Sequence, residues 1–480
     1  MNSQKENLKA FSAIVLAAGK GTRMKSPLPK VLHPVAGEPM INNVIRACRN
    51  AGAEEIRMVC GHGLHLVKPI VEAQNVKVYI QAQQLGTADA VRAAHPDSME
   101  GTVVIMNGDH PLMEADDIQG FVSEFHRRKL DLAVVTTELK NPKEFGRVVR
   151  HQGQLKAIVE AKDASADTLK IREVNTGIYI ATADILKELL PRIQNSNSKG
   201  EFYLTDLIGL AQDGHFAVDG LKGAKRVSFG VNTQQELAMA TRLVFRRKAK
   251  KLLESGVILL DPLQTYVEDS VQVGPGSVLY PGVFLKGKTQ IGSFTVLEPN
   301  VFVMDSVIGD SVQIKAGSYI ERSQIANKCS VGPYARLRPE TVLMDDAHIG
   351  NFVELKKVKF GKGSKAGHLS YLGDAEIGER VNIGCGTITC NYAVDKKKYK
   401  TIIGNDVFVG SDTQFVAPLT VGDHAVIGSG STITKNVPAR GLAVARAKQF
   451  TKENYVKVAD NSKDQLKDES EGSSKSESGS

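Results

Sequence analysis

From Val267 onward an apolar side chain returns at every sixth position, through Val273, Leu279, Leu285, Ile291, Leu297 and Val303. The beat resumes at Ile325, Val331, Leu337, Leu343, Ile349 and Leu355, and again at Ile403, Val409, Phe415, Val421, Ile427 and Ile433. Gly commonly follows the apolar residue, and a small or β-branched residue stands four places after it, as in Val273-Gly-Pro-Gly-Ser277 and Ile427-Gly-Ser-Gly-Ser431. Amphipathic helices repeat at three and four, so a period of six excludes them. It predicts a parallel β-helix, with short strands as flat faces, tight corners between them and the apolar residues pointing inward. Three hexads make one coil, each coil rises ~4.8 Å, and the stack is expected to stand roughly 45 Å tall. The beat is lost between Leu355 and Ile377 and again between Ile383 and Ile403. Such breaks are expected to mark loops thrown out from one face.

The front half is patterned differently. Apolar runs at 13–17, 56–60, 76–81, 102–106 and 132–136 alternate with helical stretches such as 40–52. That alternation predicts an α/β domain on a mostly parallel sheet. Residues 232–256 read as one helix ended by Gly, with a basic stretch at 245–251 that is expected to be the solvated face of an interdomain helix. The divisions expected are an N-terminal extension (1–10), a Rossmann-like α/β domain (11–231), a linker helix (232–260), the hexad solenoid (261–450) and a tail (451–480). Residues 461–480 are mostly Ser, Glu, Lys and Gly with almost nothing to bury, the composition of disorder.

Composition trims the possibilities. A formal net charge of +8 first suggests a nucleic-acid partner, but the basic residues are dispersed without aromatic interleaving. Phosphorylated small molecules account for the excess, and neither nucleic acid nor membrane is expected as a partner. The five Cys are scattered without a Cys-x-x-Cys pair, which argues against a disulfide frame or structural zinc and for a reducing compartment. No signal peptide or spanning segment is legible. A cytoplasmic protein is expected.

The first strand runs into Leu16-Ala-Ala-Gly-Lys-Gly-Thr-Arg-Met24, with Leu28-Pro-Lys30 close behind. A Gly-rich turn at the end of a first strand lets backbone N–H groups approach phosphate oxygens, and Arg23 and Lys30 can neutralise the remaining charge. The spacing is neither a Walker loop nor the dinucleotide fingerprint. Further on, residues 103–109 place the Asp109 carboxylate just past a buried run, where a hard cation finds an oxygen ligand.

The turn and the Leu-Pro-Lys together resemble the sugar-phosphate nucleotidylyltransferases. With the hexad solenoid behind them, residues 11–446 resemble the bacterial bifunctional N-acetylglucosamine-1-phosphate uridylyltransferase/glucosamine-1-phosphate acetyltransferase family. The resemblance implies a left-handed β-helix, a homotrimer, UTP and acetyl-CoA as co-substrates and Mg²⁺ as cofactor. It assigns Leu16, Ala17, Gly19, Lys30, Gln81, Gly86, Thr87, Gly146, Glu160, Asn175 and Asn232 to the uridine nucleotide and its sugar. Gln81 and its segment face the uracil edge, and Gly146, Glu160 and Asn175 face the sugar. Asp109 and Asn232 are implied to hold the metal, although Asn232 also suits a helix N-cap. Arg23 and Lys30 screen the in-line attack of a sugar phosphate on the α-phosphorus of UTP, a reaction needing positioning and electrostatics rather than a protein nucleophile.

The densest polar set of the solenoid falls where the beat falters. Arg338 and Lys356 are one full coil apart, so they stack on one face and call for an anion between them. His368 is the candidate general base, since imidazole is the side chain suited to taking a proton near neutrality. The resemblance implies that it accepts the proton of the glucosamine 1-phosphate amine as that amine attacks a thioester. Arg338, Lys356, Tyr371 and Asn382 are then implied to bind the sugar phosphate, and Cys385, Asn391, Tyr392, Ser411, Ser429 and Arg446 to bind acetyl-CoA. The chain departs from the family pattern at Cys385 and Ser429, each where Ala is usual, at Asn107 for the common Tyr, and in the loop after Tyr392. The resulting expectation is N-acetylation of glucosamine 1-phosphate by the back half and uridylyl transfer from UTP by the front half. The alternatives are a monofunctional nucleotidylyltransferase whose β-helix is structural or regulatory, and a non-catalytic subunit, which loss of Arg23, Lys30 or Asp109 would have favoured.

Overall fold

The computed structural model describes residues 10–456. Most of the extension and tail expected at 1–10 and 451–480 lies outside the described residues. The front half holds a twisted sheet whose strands run, side by side, Val218–Lys222, Leu132–Glu138, Glu173–Thr182, Thr102–Asn107, Phe11–Ala17, Ala53–Cys60 and Lys77–Ile80. The sheet is mixed rather than simply parallel. The ten-residue strand Glu173–Thr182 runs antiparallel to both neighbours and carries the hairpin Arg147–His151 and Gln154–Val159 at one end. Helices cover both faces over two apolar clusters, one around Met40, Ile41 and Met106 and the other around Ile14, Val91 and Tyr179.

Helix Gln234–Glu254 starts with a Thr233–Glu236 capping box and joins the halves. Its basic stretch is only partly a solvated face. Lys248 Nζ donates to the carbonyls of Asp269 (2.9 Å) and Val271 (2.6 Å) of the solenoid. Arg247 lies 3.4 Å from Glu114 and 3.7 Å from Asp269. The Asp269 carboxylate also takes a hydrogen bond from Arg46 of the α/β domain at 3.1 Å.

The solenoid is a three-faced prism of parallel strands, beginning where Ile258–Leu259 pairs with Val278–Leu279. One face is an eleven-stranded sheet, and the other two are joined through their corners into a second sheet. At ~4.8 Å per coil the eleven-stranded face is about 48 Å tall. Leu279, Leu297, Ile314, Val331, Ile349 and Ala366 form one fully buried column of its interior, each large member contributing ~1.5–3 kcal/mol. The small residue four places on is also buried, and its hydroxyl closes the corner. Ser277 Oγ donates to Gly292 O (2.7 Å), Thr295 Oγ1 to Gly309 O (2.9 Å) and Ser431 Oγ to Gly428 O (2.6 Å). A buried hydroxyl without such an acceptor would cost stability.

Only one of the two breaks throws out a loop. Between Leu355 and Ile377 the beat merely shortens, with five-residue steps from Leu355 to Phe360 and from Leu372 to Ile377 inside the unbroken strands Glu354–Phe360 and Tyr371–Ile377. A single residue in the left-handed region, Lys357 (φ +54°) in one strand and Asp374 (φ +48°) in the other, makes the bend, so the step takes five residues rather than six. The second break contains a true excursion, residues 391–400, tied at its neck by a bridge between Tyr392 and Lys398.

Candidate functional sites

Strand Phe11–Ala17 is flanked by Ala53–Cys60 on one side and Thr102–Asn107 on the other. The chain thus leaves it in opposite directions, and the carboxyl ends of these strands border a crevice, the usual ligand position in an open α/β sheet. That topology gathers segments distant in sequence: the Gly turn after Ala17, Gln81 after Ile80, and Asp109 after Asn107.

The crevice has two lobes. The inner, about 280 Å³, is lined by Leu16, Ala17, Gly19, Lys30, Gln81, Gly86 and Thr87 of the expected set. The outer, about 890 Å³, is lined by Arg23, Gly146, Glu160, Asn175 and Asn232. Leu16, Thr87, Asn107 and Asp109 border both. Every front residue singled out from the sequence therefore lies on this crevice. Gln84 and Glu201 of the inner lobe and His110 and Tyr179 of the outer were not singled out. Gln84 sits within the segment 81–87 that was, while the others carry no local signature.

In the inner lobe the N–H groups of Gly19, Lys20 and Gly21 donate to no backbone carbonyl among the described residues. They are available to an anion. Gly21 has φ +62°, and a Cβ there would lie 2.6 Å from Lys30 Cβ, so glycine is what lets Lys30 pass beneath the turn. Both amide hydrogens of Gln81 are spent internally, on Gly86 O (3.1 Å) and Asp89 Oδ2 (2.7 Å). Its oxygen is left to accept from a ligand.

At the junction of the lobes the Lys30 ammonium pairs with Asp109 Oδ2 and donates to Asn232 Oδ1 at 3.1 Å. Burial pushes the Asp109 carboxyl up, but Lys30 and His110 and the hydrogen bonds to it more than reverse this, and its pKa lies below the ordinary value. Its other oxygen, Oδ1, is buried without a hydrogen-bond partner among the described residues. Such an atom is rare in a folded protein and asks for an explanation. Two hard oxygens at the mouth of a phosphate-sized crevice, one of them unsatisfied, fit Mg²⁺, which binds few protein groups and takes the rest of its shell from phosphates and water. Among the described residues no three His, Cys, Asp or Glu side chains cluster as a metal site.

In the outer lobe Arg23 reaches Glu144 at 2.9 Å, with both side chains mostly exposed. Such a pair is worth at most ~1 kcal/mol, so an incoming phosphate competes for the guanidinium. Asn175 is set by donating to Tyr179 OH (2.9 Å) and accepting from Gly177 N–H (2.8 Å). Glu160 is partly buried, and burial raises its pKa. Lys199 partly offsets the rise, whereas Asp163, Asp206 and Glu201 add to it.

On the prism the strand registers place Arg338 and Lys356 on successive coils of one face, with Tyr371 on the next coil. Arg338 is half neutralised by Glu354 at 2.8 Å. Lys356 has Lys398 of the excursion against it, and that contact, with Arg338 behind, lowers its pKa. His368 stands at the end of the preceding face, exposed, its Nδ1 2.7 Å from Asn351 Oδ1. The registers continue along this corner, so Asn351, His368, Cys385, Ser411 and Ser429 form one column, a coil apart each. Arg446 closes it by donating to Ser429 O at 3.0 Å.

Three expected members stand apart. Asn382 pairs with Lys365 and so lies at the far end of His368's own face rather than beside Lys356. Asn391 and Tyr392 sit across the next face from the column. The Asn391 side chain is buried and bonded to Asp374, while Tyr392 is exposed. Asn351, Glu354, Asp374 and Lys398 were not legible beforehand, because each acquires its partner only when the coils stack.

The five cysteines are all free, and no helix among the described residues is long and apolar enough to cross a membrane. Residues 13–172 match the MobA-like NTP transferase domain, residues 263–360 the GMPPB C-terminal domain, and residues 400–435 the bacterial transferase hexapeptide with six repeats. The chain is 66% identical over 445 residues to the bifunctional protein GlmU of Bdellovibrio bacteriovorus, covering 93% of this chain and 97% of that one. It is 46% identical over 456 residues to the bifunctional protein GlmU of Trichlorobacter lovleyi, covering 94% and 99%. A crystal structure of UDP-glucose pyrophosphorylase complexed with UDP-glucose aligns with a TM-score of 0.41 at 17% identity, over 50% of this chain and 100% of that one.

Proposed function

The chain belongs to the family of bifunctional GlmU proteins, and from that premise we propose how its residues divide two reactions. It is a two-activity enzyme of UDP-N-acetylglucosamine biosynthesis, a glucosamine-1-phosphate N-acetyltransferase and a UDP-N-acetylglucosamine diphosphorylase.

In the acetyl-transfer site Arg338 and Lys356 hold the sugar phosphate, and Tyr371 lies along the sugar. The free amine attacks the thioester carbonyl of acetyl-CoA. His368, with Nδ1–H directed to Asn351, takes the amine proton on Nε2. The C–N bond forms, the C–S bond breaks, and the proton passes to the departing thiolate. Acetyl-CoA lies along the column of Cys385, Ser411, Ser429 and Arg446, while Asn391, Tyr392 and Asn382 lie on neighbouring edges of the prism. A second chain against the His368 corner brings complementary edges together, which is the reason to place a homotrimer here. An exposed apolar ridge of Tyr334, Phe352 and Leu369 runs along that corner, each residue at positive φ. Bulky residues seldom adopt that conformation without a compensating contact.

In the uridylyl-transfer site the inner lobe takes UTP, with the Gly turn and Lys30 on its phosphates and Gln81, Gly86 and Thr87 about the base. The outer lobe takes N-acetylglucosamine 1-phosphate against Gly146, Glu160 and Asn175. Asp109 and Asn232 would hold Mg²⁺, which supplies charge neutralisation for the phosphates when bound. Lys30 and Arg23 bring the two polyanions together, and the sugar phosphate oxygen displaces pyrophosphate from the α-phosphorus. Both co-substrates are cytoplasmic metabolites, and the unpaired cysteines suit that compartment.

The observation that carries this reading is the separation of the two centres, Lys30–Asp109–Asn232 at the carboxyl ends of the sheet strands and His368–Asn351 on the prism, with no shared side chain. The test is the full chain supplied with glucosamine 1-phosphate, acetyl-CoA, UTP and Mg²⁺, with thiol and pyrophosphate followed together. Both are released in the bifunctional enzyme. Pyrophosphate from N-acetylglucosamine 1-phosphate without thiol from glucosamine 1-phosphate would leave only the monofunctional alternative, and sedimentation decides whether three chains associate.

A further inference from the structure

Next to Asp109 in sequence stands His110, a buried imidazole only 5% exposed that borders the outer lobe and has no part in the reactions above. Its Nε2 lies 3.6 Å from Asp109 Oδ1, the oxygen that lacks a hydrogen-bond partner among the described residues. Its Nδ1 is likewise buried and makes no hydrogen bond of ordinary geometry among the described residues, with the backbone of Val227 the polar group that acts on the ring. A separation of 3.6 Å is beyond a hydrogen bond between nitrogen and oxygen. It falls between the separations of neighbouring (~3.0 Å) and opposite (~4.2 Å) donors at metal–ligand distances of ~2.1 Å, so a small turn of the ring brings both atoms onto one ion.

The surroundings hold the ring in that place. A Cβ at Gly230 would come within 3.2 Å of His110 Nε2 and 3.8 Å of Asn232 Nδ2, so the absence of a side chain there lets the imidazole and the Asn232 amide approach the same point. Lys30 meanwhile occupies Asp109 Oδ2 and Asn232 Oδ1, which leaves Oδ1 and the ring nitrogen facing each other.

Building on the reading that Asp109 and Asn232 hold the divalent cation, we propose that His110 Nε2 is a third protein ligand of that ion, and that it shifts the site's preference from Mg²⁺ toward Co²⁺. Imidazole nitrogen is a borderline donor that Mg²⁺ takes poorly, and later first-row ions bind it more tightly. An oxygen-only site discriminates less.

The test uses the full chain with UTP and Mn²⁺ as a paramagnetic probe. Pulsed electron paramagnetic resonance detects a directly coordinated ¹⁴N in the wild-type complex and not in His110→Val, and Co²⁺ displaces Mn²⁺ with an advantage over Mg²⁺ that falls about 10-fold in the variant. A wild-type complex without coordinated nitrogen overturns the proposal, as does an unchanged Co²⁺-to-Mg²⁺ ratio in a folded variant. Asp109→Ala separates the two levels of the argument. If Mn²⁺ affinity survives that change, the metal-site reading itself falls. If it is lost while wild type shows no nitrogen, only the role of His110 does.

Discussion

His368 presents Nδ1 to the side-chain oxygen of Asn351, 2.7 Å away on the preceding coil. A carbonyl oxygen accepts only, so the contact keeps the ring proton on Nδ1 and the lone pair on Nε2, facing outward. His368→Ala is therefore expected to lower kcat for thiol release by about 10²–10⁴. Asn351→Ala should lower it by about 10-fold, because the ring then samples both tautomers and other rotamers. Pyrophosphate release from N-acetylglucosamine 1-phosphate stays at the wild-type rate in both. Loss of both activities in a folded His368→Ala protein would show that the two sites are not independent.

Lys356 and Lys398 face each other with Arg338 close by, and the like charges depress the Lys356 pKa. Glu354 answers the arginine, and Asp374 offsets only part of the repulsion on Lys356. Such a cluster is relieved by a bound dianion, so Lys398→Ala should raise KM for glucosamine 1-phosphate about 10-fold while the melting temperature of the ligand-free protein does not fall. A structural role for Lys398 would move the melting temperature down instead and leave KM alone. Differential scanning fluorimetry and initial rates separate the two.

How far the sequence reached can be judged at particular residues. Leu279, Leu297 and Ile349 announced the prism because inward positions recur at a fixed interval and the corners need small residues, both local properties of the chain. The shorter steps to Phe360 and Ile377 were misread as loops, since a missing beat looks the same whether a turn is lengthened or shortened. Strand Glu173–Thr182 reverses the sheet direction, which no apolar run reports. The front crevice was legible through short motifs at strand ends. Asn351, Glu354 and Lys398 were not, because their partners lie a coil or a loop away and exist only after stacking.

Glu160 supplies a pH test. Burial raises its pKa above the ordinary carboxylate value, with Asp163, Asp206 and Glu201 adding to the shift. A folded pKa above the unfolded one means the native state binds the proton more tightly, so stability falls as pH rises through the window between the two values. Above that window the charged carboxylate is a liability that Glu160→Gln removes. The variant should therefore unfold at higher urea than wild type at pH 7, and the difference should vanish near pH 4. Its KM for N-acetylglucosamine 1-phosphate should rise, because the outer lobe loses an acceptor. Equal urea midpoints at pH 7 would contradict the strained-carboxylate account.

The two glycines of the phosphate turn separate ligand contact from scaffold. A Cβ at Gly19 meets no protein atom within 4 Å, and the residue lines the inner lobe. Gly19→Ala should thus leave the melting temperature unchanged and raise KM for UTP. Gly21 has φ +62° and would place its Cβ 2.6 Å from Lys30 Cβ. Gly21→Ala costs ~1–2 kcal/mol from the backbone conformation alone, and the overlap drives Lys30 from Asp109 and Asn232. It should lower kcat for uridylyl transfer by at least about 10-fold, the scale of ~1.4 kcal/mol of lost transition-state stabilisation, with acetyl transfer untouched. If Gly21→Ala changed KM for UTP but not kcat, Lys30 would be holding substrate without acting on the developing charge.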